Sequence, residues 1–180
     1  MTKHKVLLYG ANGYTGTLIA RYAKEYNLAP ILAGRNKKEI ETLAAQLNLP
    51  YKVFSLDDAA ALNTALGEVA VVIHAAGPFH YTAKQMVEAC IATGTHYLDI
   101  NGDIAVFEFI KKYNEQAKQA GVMLLPGSGF DVVPTDCLAL SLKNQLPDAT
   151  HLEIVFIPVG SQISHGTAST MAGKAGEGSV

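Results

Sequence analysis

Gly10, Gly13 and Gly16 stand three residues apart, a spacing that lets a backbone close around a pyrophosphate. Gly10 can turn the chain sharply. Gly13 has no Cβ, so N–H groups can approach phosphate oxygens closely. Gly16 lets a following helix pack near the preceding strand. Orphan N–H groups and the positive dipole end of that helix would then face the anion. The G-x-x-G-x-x-G spacing differs from the commoner G-x-G-x-x-G, and a glycine-rich turn that merely joins two elements would look the same. The setting decides. Val6–Tyr9 is an apolar run of buried-strand size, and Leu18, Ile19, Tyr22 and Ala23 recur afterwards at helical spacing. Gly10, Ala11, Asn12, Gly13, Tyr14, Thr15 and Gly16 are therefore expected to form a dinucleotide turn, with Asn12 tolerating left-handed backbone.

Arg35 ends the second apolar run, with Lys37 and Lys38 close behind. Sites for NAD usually place Asp or Glu there, accepting from ribose hydroxyls. A guanidinium instead pairs with a 2′-phosphate and stacks on adenine. The reading is NADP(H) rather than NAD(H), against a solvated basic turn. Asp57 and Asp58 can cap the next helix, and Asp57 could instead border an adenine pocket. Ala75, Ala76, Gly77 and Pro78 follow the fourth run as a cofactor-binding loop, with Gly77 and Pro78 expected beside the cofactor ribose and nicotinamide. Phe79, His80 and Tyr81 come next; His80 or Tyr81 can donate a proton, or both simply shape a helix entry. Asp99, Asn101, Asp103 and Asp131 can bind a polar substrate or cap helices. No catalytic residue is assigned. The six histidines show no H-x-x-x-H pairing, so no metal is expected.

These residues need elements to position them. Strands are expected at Pro30–Ala33, Tyr51–Phe54, Val69–His74, His96–Ile100 and Val122–Leu125, besides the first. Helices alternate with them, one long helix running from Val106 to Ala120 and ending at Gly121. Six strands and six helices imply an α/β, doubly wound parallel sheet, a Rossmann fold, with ligands outside the carboxyl ends of the strands. His151–Pro158 reads as a further strand that starts a second α+β domain, continued by the small-residue stretch Ser161–Val180. The division expected is 1–148 for the cofactor domain and 149–180 for the start of a truncated one. Such a chain alone is expected to bind cofactor without turnover, and to form a homodimer or aggregate through its C-terminal strand unless the tail covers it.

The 180 residues are 49% hydrophobic, enough for a sizeable core. A net charge of -2 without a large basic block gives nucleic-acid binding no electrostatic support. No apolar run reaches membrane-spanning length, and the cytoplasm is the default compartment. Cys90 and Cys137, the only cysteines, lie in apolar helical patterns and read as buried thiols.

GANGYTG at 10–16, LAGRN at 32–36, HAAGPF at 74–79, YLDINGD at 97–103 and GSGFDVVPTD at 127–136 resemble the saccharopine dehydrogenase-like family. Its relatives include saccharopine reductases and trans-acting enoyl reductases. The resemblance implies a Rossmann domain, NADP(H) and an oxidoreductase, with Gly10, Gly13, Gly16 and Arg35 on the cofactor and Ala76, Gly77 and Pro78 beside it. HGTAST at 165–170 resembles the start of the family's second domain. The expected chemistry is hydride transfer between nicotinamide and a small-molecule C=N, C=O or C=C group. A non-enzymatic NADP(H)-responsive regulator is the alternative.

Overall fold

The computed structural model describes residues 5–155, 157 and 168. Six strands form one parallel sheet: β1 (Val6–Tyr9), β2 (Ile31–Gly34), β3 (Tyr51–Val53), β4 (Val71–His74), β5 (His96–Asp99) and β6 (Leu124–Leu125). Their order across the sheet is β3-β2-β1-β4-β5-β6. This is the doubly wound order, with the switch point between β1 and β4. Leu7 pairs with Ile31 on one side and with Val72 on the other, so β1 is fully flanked.

Among the described residues seven α-helices accompany the sheet: α1 (Tyr14–Tyr22), α2 (Lys37–Leu47), α3 (Ala59–Gly67), α4 (Phe79–Thr93), α5 (Ile104–Lys111), α6 (Asn114–Ala120) and α7 (Val133–Gln145). Alternation along the strands assigns side chains to the two faces. Leu8 and Leu32 join Ala20, Ile40, Leu43 and Ala44 in the layer beneath α1 and α2. Leu7, Tyr9, Ile31 and Ala33 turn the other way, towards Leu62, Leu66, Met86, Val87 and Ile110.

The long helix expected over 106–120 is two. Lys112 and Tyr113 donate their N–H groups to Phe109 and Ile110, three residues back, and this tightened turn separates α5 from α6. Gly94 and Gly121 end α4 and α6 as their positions suggest. Residues 151–155 form no strand, contrary to expectation. A strand needs a neighbour to complete its ladder, and the sheet ends at β6. Phe156, Pro158 and the expected second-domain start at Ser161–Val180, Ala168 apart, lie outside the described residues.

The two cysteines also part company. Cys90 is buried on α4, and burial pushes its thiol well above the usual range. Cys137 is exposed, because α7 buries none of its residues. An apolar pattern identifies a helix face but not whether anything covers it. In the native protein Cys137 should react with a thiol reagent at the rate of a free thiol, and Cys90 only after unfolding. Equal native-state labelling of both, measured by mass spectrometry, would contradict these placements.

Candidate functional site

A cleft of about 950 Å³ opens at the carboxyl ends of the strands, astride the β1/β4 switch point. That size sits at the upper end of small-molecule and cofactor sites, about 300–1,000 Å³. Of the residues expected there, Gly10, Asn12, Gly13, Tyr14, Thr15, Arg35, Asp57 and Ala75 to Pro78 all line it. Ala11 and Gly16 are buried behind the turn.

The glycine turn has the geometry that its spacing suggests. Gly10 has φ +84°, and a Cβ there would lie 2.8 Å from the Ala75 carbonyl carbon and from the Ala76 nitrogen. A Cβ on Gly16 would collide with the Gly10 carbonyl oxygen. These two glycines bring β1, α1 and the loop after β4 into backbone contact. Gly13 has ordinary extended backbone (φ −72°, ψ 168°) and serves as the N-cap of α1. The first helical bond runs from Thr17 N–H to the Gly13 carbonyl. No side chain caps this helix end. Asn36, Asp58 and Asp103 cap α2, α3 and α5, while α4, α6 and α7, like α1, have no side-chain cap; of the four, α1 follows the glycine turn. The N–H groups at the start of α1 are therefore directed at a cleft without an internal acceptor, which fits an anionic pyrophosphate.

Asn12 does not have left-handed backbone; among the described non-glycine residues only Asn27 and Asn48 have positive φ. Its side chain instead donates to Glu39 Oε2 at 2.7 Å, while Asn36 Nδ2 donates to Glu39 Oε1 at 2.6 Å. Glu39 thus ties the glycine turn to the turn that carries Arg35. Arg35 itself is exposed on the cleft wall. Asp57 does not cap α3. Asp58 does, accepting from Ala61 N–H at 3.0 Å, while Asp57 accepts from the Ser55 hydroxyl at 3.1 Å.

Across the cleft, His80 and Tyr81 are exposed at the start of α4, their rings 3.9 Å apart. Tyr81, at 68% exposure, stands at the mouth. Gln85, one turn further along α4, has a buried Oε1 with no hydrogen-bond partner. Asn101, Asp103 and Asp131 line the far end.

Asp99 lies at 0% exposure and is not a free acid for catalysis. Its Oδ1 accepts from Asn101 N–H, Asn101 Nδ2 and Gly127 N–H at 3.1, 2.6 and 2.8 Å. Its Oδ2 accepts from the Tyr97 hydroxyl at 2.6 Å. Burial first, and then this carboxylate, push the Tyr97 hydroxyl far above its ordinary range. The Ser128 hydroxyl and N–H both donate to the Asp99 carbonyl, at 2.7 and 2.8 Å. One carboxylate and its own backbone thus fasten the loop after β6 to the end of β5.

His74, at the end of β4, is fully buried among Tyr9, Phe79 and Tyr97, with ring centroids 5.9, 5.3 and 6.1 Å away. Burial pulls it down to about 3, so the ring is neutral. Its Nε2 lies 2.9 Å from the Thr82 hydroxyl, and its Nδ1 has no partner. The roles of His74, Thr82, Glu39 and Gln85 went unread in the sequence, where each fits an ordinary strand or helix pattern.

The family profile of the saccharopine dehydrogenase NADP binding domain matches residues 6–125. A lipid droplet localized protein of Caenorhabditis elegans is 28% identical, aligned over 95% of this chain and 45% of its own length. A saccharopine dehydrogenase-like oxidoreductase of Bos taurus is 26% identical over 78% of this chain and 38% of its own length. The chain therefore spans less than half the length of these curated relatives. Among solved structures, the apo saccharopine dehydrogenase (L-Glu forming) of Saccharomyces cerevisiae superposes with a TM-score of 0.69 at 19% identity, covering 81% of this chain and 32% of the yeast chain. That likeness concerns the fold. Among the described residues no helix is long and apolar enough to cross a membrane.

Proposed function

The chain belongs to the family of saccharopine dehydrogenase NADP-binding domains, and from that premise we propose that it is the cofactor domain of an oxidoreductase acting on a small-molecule C=N, C=O or C=C group. The uncapped start of α1, held against the cleft by Gly10 and Gly16, carries this reading.

The Gly10–Gly16 turn receives the pyrophosphate. Gly13 lets it approach, and the N–H groups of Tyr14 and Thr15 offer it hydrogen bonds. Arg35 takes the 2′-phosphate from the exposed wall after β2, with Asp57 bordering the adenine side. Ala75, Ala76, Gly77 and Pro78 run along the ribose and nicotinamide. When bound, the nicotinamide gives or takes a hydride at its ring carbon. The chain's part is to hold that ring at a fixed depth against the β4 loop and to leave the side towards His80, Tyr81 and Asn101 for substrate. Hydride transfer needs the reacting carbon within ~3–3.5 Å, in a site closed to water. Among the described residues nothing closes that side, where Tyr81 is exposed, and closure over substrate is assigned to polypeptide outside this domain. We place the protein in the cytoplasm.

Arg35→Asp tests the arrangement. NADPH affinity should fall by about 10- to 100-fold, the worth of one charge-assisted bidentate contact, while NADH affinity stays within about threefold. Both are measured by fluorescence titration. Unchanged NADPH affinity would remove Arg35 from the site.

A further inference from the structure

The Thr82 hydroxyl, in the first turns of α4, lies 2.9 Å from His74 Nε2 and 2.9 Å from the Ala76 carbonyl oxygen, with the Pro78 carbonyl at 3.3 Å. It has one proton, and a carbonyl can only accept. The proton therefore goes to the loop carbonyls, and the hydroxyl oxygen receives the Nε2–H of His74. A neutral imidazole carries one N–H, which leaves Nδ1 bare, and Nδ1 is the ring atom without a partner.

We propose that His74 and Thr82 are positioning residues, a fixed relay that holds the Ala76–Pro78 loop in the shape that receives the nicotinamide half of the cofactor. The inference rests on the cofactor reading above. His74 is a rigid anchor, because it ends β4, one of the two central strands, and three aromatic rings surround it. The loop has little slack on its other side, where Gly10 packs against Ala75 and Ala76. Its Ala76 and Pro78 carbonyls accept from Thr82, and the loop and Thr82 line the cleft side by side. Arg35 stands at the end of β2 and shares no bond with this relay, so the adenosine end of the site is held independently.

Two probes separate the ends: NADPH, and adenosine 2′,5′-bisphosphate, which lacks the nicotinamide half. The wild-type chain should bind both. Thr82→Val should weaken NADPH by about tenfold, one lost buried hydrogen bond passed on to the loop, and leave the bisphosphate within twofold. Thr82→Ser, which keeps the hydroxyl, should restore NADPH binding. Equal losses for both probes, or no loss in a folded Thr82→Val, would overturn the relay while leaving the cofactor reading intact. A wild-type chain that binds neither probe would overturn that reading and the relay with it. Should Thr82→Val not fold, nitrogen NMR of the wild-type His74 ring decides. The Nε2–H tautomer supports the relay, and the Nδ1–H tautomer overturns it.

Discussion

Gly13→Val should leave the chain folded and lower its NADPH affinity by at least about 100-fold. The two halves of this expectation have separate causes. Gly13 has backbone angles that any residue adopts, and a Cβ there would meet only the Gly10 carbonyl oxygen, at 3.3 Å. A small local adjustment accommodates it. The valine methyl groups would nonetheless project at the start of α1, where the phosphate oxygens must reach the N–H groups. Gly16→Val is the contrasting variant. Its Cβ would strike the Gly10 carbonyl inside the strand–helix contact, so the fold itself should fail. Circular dichroism with NADPH titration distinguishes the cases. Full NADPH affinity in folded Gly13→Val would place the pyrophosphate elsewhere.

Asp99→Ala should cost about 3 kcal/mol or more of stability, read from the urea midpoint. The carboxylate gathers four donor contacts in a site without solvent, and alanine replaces none of them. Each unsatisfied donor costs about 1–3 kcal/mol, reduced where a group such as the Tyr97 hydroxyl can turn to another acceptor. Asp99→Asn should cost less, because its amide oxygen keeps the Oδ1 bonds and its amide nitrogen can donate to the Tyr97 oxygen. Equal stability of Asp99→Ala and the wild type would mean that the loop after β6 is held by other contacts.

The fold was legible because its signals are local. Apolar runs of strand length, helical spacing behind them and stops such as Gly94 and Gly121 each lie within a few residues. The glycine turn was legible for the same reason. What escaped depends on neighbours in space. Asn12 meets Glu39 across two strand–helix units, and no local pattern couples them. His74 read as the last residue of a buried strand, which it is; only Thr82, one loop later, gives its ring a task. Asp57 and Asp58 are alternatives of equal type, and one residue of backbone phase gives the cap to Asp58. Cys137 failed for a different reason, since α7 carries an apolar pattern without a packed face.

The strand order has a kinetic consequence. β1 and β2 are separated by α1 and a short 3-10 helix (Ala23–Tyr26), and β2–β3 and β4–β5 by one helix each, so their pairings close between segments near in the chain. The joint between the two groups is the β1–β4 ladder, which pairs Val6 with Val71. That ladder must close the long loop between them, an entropic cost met before its contacts contribute. The cleft straddles this seam, with Gly10 and Arg35 on one bank and Ala76 and Gly77 on the other. A dinucleotide lying across it can bind only after the joint has formed, and mass action then shifts the population away from open forms. The cofactor would thus act as a clasp on that joint as well as a reagent.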